Sequence, residues 1–523
     1  MAGGAPSAAG LHFGDFIVWL APRSASRGLM TPDDARTPEA DAGAAGYAAA
    51  DEGAEVPAQA WSPPRAAPGV FALAWPAVVA NLLYSTVGFV GTKIVGVLGA
   101  QAVAAVTTGN RIFFILQAVL MAVTAGTTAL VARAWGAGDR NEAERVTTAS
   151  VVVCVGLAGS LTVPGMLFAD ELAHIFRLDP EAIAHASTFI WWLSVFNAPF
   201  AASFVIGTAL RAAGDTRTPL WIGGLTNVVN IVLAYGLVLG RFGLPRLGVA
   251  GAAIANGLAF SFGAVIFAWL WLRGRLLLGR GPAGALARPR LRRMLQIGYP
   301  AALEQVVWQG GFIGFLWIVS LYGTAPYAAY GIGVTILSFS FVVGFGFSIA
   351  AGTLVGQHLG AEDPAGAARS GWRALRLSIG AMVVLGALII FFARSIAQFM
   401  IADPEVVELT VFFIYVLGAM QPLMAIEFAL GGALRGAGDT RFPLLAVLSG
   451  LVGVRVTLAA LFAWLGLSVH WVFAALIGDY IVKATMLTTR FASGRWQRLH
   501  FGEPPKLGAA TGAAALARRG ERA

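Results

Sequence analysis

Long apolar runs separated by short polar segments dominate the chain from about residue 70 to residue 492. Each of twelve runs holds about 20 or more residues, the length that a helix needs to cross the hydrocarbon core of a bilayer. In the first half, the pattern predicts helices at 70–97, 103–132, 146–169, 183–210, 218–240 and 248–272. In the second half, it predicts helices at 294–321, 326–357, 373–394, 406–434, 442–465 and 470–491. The expected fold is an all-α integral membrane protein with twelve transmembrane helices.

The two halves repeat each other at a constant offset. The stretch ALRAAGDTRTPL at 209–220 recurs as ALRGAGDTRFPL at 433–444, which is 224 positions later. The same offset relates Pro76 to Pro300. A register kept over this length indicates an internal duplication. Since each half contributes an even number of helices, both copies insert with the same orientation. We therefore expect two six-helix lobes that are parallel repeats, related by a pseudo-two-fold axis along the membrane normal.

Composition divides the chain into five segments. Residues 1–67 are rich in Ala, Gly, Pro, Asp and Glu, which is typical of a disordered tail. The N-lobe (68–272) and the C-lobe (294–492) follow, joined by a basic linker at 273–293. A basic tail at 493–523 completes the chain.

Basic residues lie mostly in the connections that follow even-numbered helices. The positive-inside rule therefore predicts that both termini, the linker and the two repeated loops are cytoplasmic. The formal net charge of +9 is thus a topology signal, and we expect no nucleic-acid partner. We expect a monomer in the bacterial inner membrane, in contact with membrane lipid. The single cysteine and the scattered histidines offer no metal-ligand spacing, so no cofactor is expected.

Each repeated loop has a plain structural interpretation. Gly214 and Gly438 allow a tight turn, and Asp215 and Asp439 are suited to capping the helix that follows. We therefore interpret both loops as hinges that join two helices and anchor them at the membrane surface.

The doubled LRxAGDTRxPL loop, in a chain of six plus six helices, resembles the multidrug and toxic compound extrusion (MATE) family. The stretch PAALEQ at 300–305 is similar to the bacterial DinF-like branch, and GQHLGA at 356–361 is similar to a family element after helix eight. The resemblance covers about residues 68 to 492. It implies a secondary-active antiporter that works by alternating access. Such a protein exports organic, often cationic, small molecules in exchange for protons or sodium ions.

The sequence departs from the family pattern at the coupling positions. DinF-like members carry aspartates in helices one and five, where this chain has Gly91 and Ala234. Another branch has acidic residues in helices seven and ten, and the matching positions here are Trp308 and Met424. The resemblance therefore does not place a coupling carboxylate in the N-lobe.

The acidic side chains within the predicted helices all belong to the C-lobe. Such groups are costly in a bilayer and mark functional sites by default. We expect Glu304, Asp479 and Glu427 to be the ion-coupling candidates, with Glu304 the main one. Glu304 has no basic partner in its own helix, and burial without a partner favours proton uptake. Glu427 either faces a cavity or reaches to water.

Asp479 is expected to form an ion pair with Arg455 on the preceding helix, or with Lys483 one turn along. Aromatic faces near these charges would suit flat organic cations. The candidate cavity and substrate residues are Asn81, Tyr84, Asn197, Asn230, Gln305, Trp308 and Arg455.

Two other functions are considered. A flippase for a lipid-linked oligosaccharide or another polar lipid is the alternative, and it predicts a lateral opening and a wide basic cavity. The few charges inside the membrane are mostly acidic, which favours the efflux of cations. An enzyme is disfavoured, because the sequence shows no nucleophile–base set and no phosphate-binding loop.

Overall fold

The computed structural model describes residues 69–175 and 179–499, and within these ranges the chain is helical without strands. The N-lobe contains α1 (Val70–Gly96), α2 (Ala100–Gly136), α3 (Arg140–Leu167), α4 (Ala169–His174), α5 (Pro180–Val195), α6 (Asn197–Ala212), α7 (Arg217–Leu239) and α8 (Gly248–Leu272). The C-lobe contains α9 (Arg288–Ser320), α10 (Thr324–Gly360), α11 (Pro364–Phe391), α12 (Ala393–Met400), α13 (Pro404–Ala419), α14 (Gln421–Gly436), α15 (Arg441–Val447), a π-helix (Leu448–Val456), α16 (Thr457–Trp464) and α17 (Val469–Ala492). A 3₁₀ turn follows at Arg495–Arg498.

Twelve membrane spans result when two bent pairs are each counted as one span. Ten segments of the described chain are long and apolar enough to cross a bilayer by themselves. The pair α5 and α6 is bent by 54°, and the pair α13 and α14 is bent by 47°. The prediction of an all-α protein with twelve transmembrane helices is confirmed. The predicted tail at 1–67 and most of the predicted C-terminal tail lie outside the described residues.

The bends in these two spans were not predicted, although the sequence carries a signal for them. In each case a proline, Pro199 or Pro422, lies in the first turn after the break. Proline has no backbone N–H and its ring clashes with the preceding turn, so a continuous helix is interrupted at that point. Hydropathy averages over such a break and predicts one straight helix.

The lobes are related by the two-fold symmetry that the repeat predicts. In α2, Gly136 lies against the backbone of Gln357 in α10, so closely that a methyl group would overlap the Gln357 carbonyl. The counterpart of this contact exists: Gly360 of α10 lies equally close to the carbonyl of Arg133 in α2. Through the offset of 224 positions, Arg133 and Gly136 of α2 correspond to Gln357 and Gly360 of α10, so each contact is the symmetry counterpart of the other. A pseudo-two-fold axis between α2 and α10 produces this pattern.

A second pair of symmetry-related contacts between the lobes lies nearer to the middle of the membrane. Gly298 of α9 lies against the carbonyl of Ala122 in α2, and Gly346 of α10 lies against the carbonyl of Ala74 in α1. Small residues at such positions let helix backbones approach closely inside a membrane. The start of each half consequently packs on the opposite lobe. Val70 joins a core cluster of the C-lobe, and its repeat counterpart Met294 joins one of the N-lobe.

Hydrogen bonds also join the lobes on the membrane side that carries the repeated loops and the linker, which we call the basic side. Thr353 Oγ1 donates to the Arg211 carbonyl at 3.1 Å, and Gln357 Nε2 donates to the Ala212 carbonyl at 3.0 Å. Because Arg211 and Ala212 lie in the first repeated loop region, α10 of the C-lobe is fastened to that loop. The lobes are thus closed against each other on the basic side.

The linker is docked on the protein. Helix α9 begins at Arg288, six residues earlier than expected, so the non-helical linker is shorter than predicted. Glu144 in α3 accepts a hydrogen bond from Gly279 N at 2.8 Å. Arg290 forms a two-pronged ion pair with Glu142, at 2.8 and 2.6 Å. Part of the arginine cluster therefore binds α3 as well as signalling topology.

Candidate ion-coupling and substrate site

A buried arginine lies in the least regular span of the C-lobe. In the eleventh span the helix widens to the π-helix Leu448–Val456, and Arg455 occupies its last turn. The repeat counterpart of this segment, residues 224–232, lies within the regular helix α7. π-Turns recur at functional sites, where they redirect a side chain. Sequence reasoning did not find this feature, because the apolar run predicts one continuous helix at 442–465.

Arg455 and Asp479 form a buried ion pair, as predicted. Arg455 Nη2 lies 2.6 Å from Asp479 Oδ2, and the two side chains are 2% and 0% exposed. The Arg455 guanidinium also lies 5.6 Å from the centre of the Phe312 ring, 5.7 Å from that of Phe315 and 5.6 Å from that of Tyr480. Ring faces at this distance stabilise a cation away from water. The pair is therefore enclosed on the Arg455 side by aromatic rings.

The second predicted partner of Asp479 is also confirmed. Lys483 Nζ lies 3.1 Å from Asp479 Oδ1, one helical turn along α17. The same ammonium lies 3.3 Å from Glu427 Oε1 on α14. Glu427 therefore has a basic partner on another helix, and its side chain is 14% exposed. The approach depends on Gly450 in the π-helix, where a Cβ would meet the stem of Lys483 at 2.7 Å.

Glu304 has a basic partner on another helix, so it is not a buried carboxylate without a partner. Its Oε1 accepts a hydrogen bond from Arg435 Nη1 at 2.8 Å, and the side chains are 16% and 25% exposed for Glu304 and Arg435. Arg435 belongs to the repeated loop motif, to which we had assigned only an anchoring role. The partner was missed because it lies 131 positions away in sequence. Arg435 Nη2 additionally lies 3.4 Å from Ser348 Oγ in α10.

These groups form three levels across the C-lobe. Glu304 and Phe312 are eight residues apart on α9, which is about 12 Å along a helix. Glu427 and Arg435 have the same separation on α14. The Arg455–Asp479 pair therefore lies farthest from the basic side. Next come Lys483 and Glu427, and the Glu304–Arg435 pair is nearest to that side.

The described spans of the N-lobe carry no such ion pair in their apolar parts. The positions 224 before Glu304 and Glu427 are Ala80 and Ser203. Helix α8, which corresponds to α17, contains no charged residue. Among the described residues, the ion pairs in the apolar parts of the spans thus belong to the C-lobe.

Two cavity candidates in the N-lobe are instead buried and bonded. Asn197 lies at the bend between α5 and α6, accepts from Gln117 Nε2 at 3.3 Å and donates to the Ala158 carbonyl at 3.2 Å. Asn230 donates to Asn256 Oδ1 at 3.0 Å, which joins α7 to α8. Their amides join helices within the N-lobe, and their placement in a cavity stays a prediction.

The other candidates lie on the helices that connect the lobes. Tyr84 is 49% exposed, and Asn81 lies one turn before it on α1, half-buried. On α9, Gln305 Nε2 lies 3.3 Å from Met121 Sδ in α2, across the boundary between the lobes. These positions are consistent with a surface shared by both lobes.

Trp308 is part of an aromatic cluster. Its ring centre lies 4.6 Å from that of Phe312 and 5.2 Å from that of Phe341. Phe341 contacts Phe428, which follows Glu427 on α14. The cluster therefore places aromatic faces beside the charged levels. Of the other aromatic residues on α9, Phe315 is fully buried and Trp317 is strongly exposed.

The two repeated loops share a turn but differ in their contacts. Gly214 and Gly438 have φ of 98° and 88°, the left-handed region that the turn requires. Asp215 accepts from Thr218 N at 3.0 Å and caps α7, as predicted. Asp439 accepts instead from Arg490 Nε of α17 at 2.8 Å. The C-lobe loop is therefore tied to its last span.

Comparison with known proteins agrees with this architecture. A MatE family model matches residues 76–236 and 300–461, one block in each lobe. A probable multidrug resistance protein NorM of Thermotoga maritima is 32% identical over 437 residues, which is 82% of this chain and 92% of that protein. The multidrug resistance protein NorM of Burkholderia vietnamiensis is 30% identical, over 73% of this chain and 84% of that protein. The assignment to the DinF-like branch stays a prediction.

Solved structures show the same fold. A MOP superfamily transporter from Pyrococcus furiosus superposes with a TM-score of 0.76 at 18% identity, covering 82% of this chain and 96% of that one. A MATE transporter of Vibrio cholerae, solved as a mutant, also gives 0.76 at 19% identity, covering 82% and 98%. The family model and these relatives identify the chain as a membrane transporter, not an enzyme, and it belongs to the MatE family of multidrug and toxic compound extrusion transporters.

Proposed function

We propose that the chain is a multidrug efflux antiporter that exports organic, cationic compounds in exchange for protons or sodium ions. The observation that carries this proposal is the placement of carboxylates. Glu304, Glu427 and Asp479 lie within the spans of the C-lobe, and their repeat counterparts carry no charge. A gradient-driven exchanger needs a group inside the membrane that binds and releases the driving ion.

Glu304 is the carboxylate best suited to exchange an ion. Asp479 is enclosed between Arg455 and Lys483 and is 0% exposed, so an ion can reach it only by breaking two pairs. Among the described residues, Glu304 is paired with Arg435, and its side chain is 16% exposed. When Glu304 loses its charge, by protonation or by binding of a cation, its ion pair with Arg435 weakens.

Arg435 offers a route from ion binding to movement of the lobes. Its second amino group contacts Ser348 of α10. Gly432 and Gly436 on either side of Arg435 pack directly on Ser348 and Gly352. A shift of α14 therefore displaces α10 as well, because close-packed backbones do not deform independently. Helix α10 in turn carries the two hydrogen bonds that close the lobes on the basic side.

Aromatic faces and carboxylates together favour organic cations as substrates. Trp308, Phe341 and Phe428 form one aromatic cluster, and Phe428 follows Glu427 on α14. A cation can bind to ring faces while a carboxylate balances its charge. The relatives from Thermotoga maritima and Burkholderia vietnamiensis are named multidrug resistance proteins, which agrees with a broad substrate range. We place the protein in the bacterial inner membrane as a monomer, with its termini and the basic side in the cytoplasm.

Transport in proteoliposomes tests this proposal. Purified protein would be reconstituted, and uptake of cationic dyes would be measured under an imposed proton gradient or sodium gradient. Dye movement against its own gradient, coupled to flux of one of these ions, is expected. If no ion gradient drives any dye and lipid-linked sugars cross the bilayer instead, the chain is a flippase and the proposal is wrong.

A further inference from the structure

Two carboxylates converge in the middle of the C-lobe, and a lysine lies between them. Asp479 and Glu427 come from different helices, α17 and α14, and both are in contact with the ammonium of Lys483. The Lys483 side chain is 1% exposed. A pair of carboxylate oxygens around one cation, shielded from water, is the arrangement that would hold a free monovalent cation. Here the cation between the two carboxylates is the ammonium group of Lys483, a residue of the chain itself.

We propose that Lys483 is a tethered cation that fills the position between Asp479 and Glu427 where an exchangeable cation would otherwise bind. The site then takes no sodium ion from solution while Lys483 is present. The inference refines the proposed function, because it restricts sodium coupling at these two carboxylates.

Residue choice supports a specific role for this ammonium. The chain has three lysines, Lys93, Lys483 and Lys506, against 33 arginines within its 36 basic residues. Lysine is a compact point charge, whereas the guanidinium of arginine is broad and planar. Gly450, which has no side chain, leaves room for the stem of Lys483 where it passes the π-helix. The Tyr480 ring, centred 4.6 Å from Nζ, covers another side of it.

Charge balance indicates what happens when the ammonium is removed. Arg455 and Lys483 balance Asp479 and Glu427, two cations against two anions. A buried carboxylate without a counterion is strongly unfavourable. Lys483→Met keeps the length and apolar character of the stem but leaves one negative charge in excess. The vacated position should then recruit a monovalent cation from solution.

The test measures cation binding on the purified full-length protein and does not depend on transport. Thermal unfolding in detergent would be followed in sodium chloride and in choline chloride at equal ionic strength. We expect Lys483→Met to show a saturable, sodium-specific rise in unfolding temperature, and the wild type to show none. Lys93→Met is the matched control: it also removes one lysine charge, at an exposed position near the end of α1, and should behave like the wild type.

A double variant keeps the test decisive if Lys483→Met does not fold. Lys483→Met with Glu427→Gln restores the charge balance and should fold without a sodium response. A folded Lys483→Met protein that shows no cation response overturns the inference. So does a sodium-specific response of the wild type that Glu427→Gln removes. A wild type that binds no sodium and transports nothing would contradict the proposed function but not this inference.

Discussion

Gly136 of α2 lies so close to the carbonyl of Gln357 in α10 that no side chain fits between the two helices. The two-fold counterpart, Gly360 against Arg133, makes the same contact in the opposite direction. Both lie on the basic side, next to the hydrogen bonds from α10 to the first repeated loop. The closed arrangement of the lobes on that side therefore depends on the absence of two Cβ atoms.

Gly136→Ala should open or destabilise this contact. Overpacking of a tight contact costs about 1–3 kcal/mol, and here the colliding atom is backbone that cannot rotate away. The expected result is a lower unfolding temperature, with greater accessibility of the lobe boundary on the basic side to a cysteine reagent. Gly91→Ala in α1 is the control, because a Cβ there meets nothing within 4 Å. Equal behaviour of the two variants would contradict the interpretation.

Asp479→Asn should destabilise the protein more than it alters ion specificity. Asn leaves the Arg455 guanidinium buried without its carboxylate, and breaking a buried pair costs about 3–5 kcal/mol. Thermal unfolding of the reconstituted or detergent-solubilised protein measures the loss. Adding Arg455→Met removes the excess charge and should recover part of the stability. An Asp479→Asn protein as stable as the wild type would show that the pair is not structural.

The sequence predicted the repeat, the spans and the Arg455–Asp479 pair because each depends on local pattern or on neighbouring helices. A constant offset and long apolar runs are visible without coordinates. Asp479 and Lys483 are one turn apart, so helical geometry alone brings them together. These features needed no knowledge of how distant spans pack.

The contacts of Glu304 and Glu427 could not be predicted in the same way. Glu304 meets Arg435 across 131 positions, and Glu427 on the tenth span meets Lys483 on the twelfth. Both contacts depend on how α9, α14 and α17 pack together. The π-helix is a change of backbone hydrogen bonding within one apolar run, which hydropathy does not detect. The hydrogen bonds of Asn197 and Asn230 could not be predicted either, because a polar residue in a span can bond within its lobe as readily as it can face a cavity.

The cytoplasmic placement of the linker can be tested by cysteine labelling of intact cells. Ala283→Cys puts a thiol at an exposed linker position, and Ser468→Cys puts one in an exposed loop on the opposite side. The native Cys154 is buried, so background labelling should be low. An impermeant reagent added outside should label Ser468→Cys and not Ala283→Cys until the cells are permeabilised. The reverse pattern would invert the topology derived from the arginine distribution.

Glu304→Gln should abolish gradient-driven efflux while the protein still inserts and still binds substrate. Gln keeps the shape of the side chain and a hydrogen bond to Arg435, but it can no longer carry a charge that an ion neutralises. The N-lobe offers no substitute, since its counterpart position is Ala80 and the positions used by DinF-like members hold Gly91 and Ala234. Counterflow in proteoliposomes, with and without an ion gradient, separates lost coupling from lost binding.

The control for this variant must lose an arginine–glutamate pair without losing a charge inside the membrane. Glu142→Gln does so, because Glu142 binds Arg290 at the start of α3, outside the apolar part of the span. It should lose some stability and keep coupled transport, whereas Glu304→Gln keeps binding and loses coupling. If Glu304→Gln transports at the wild-type rate while folded Asp479→Asn is inactive, Asp479 is the coupling carboxylate and the assignment to Glu304 is wrong.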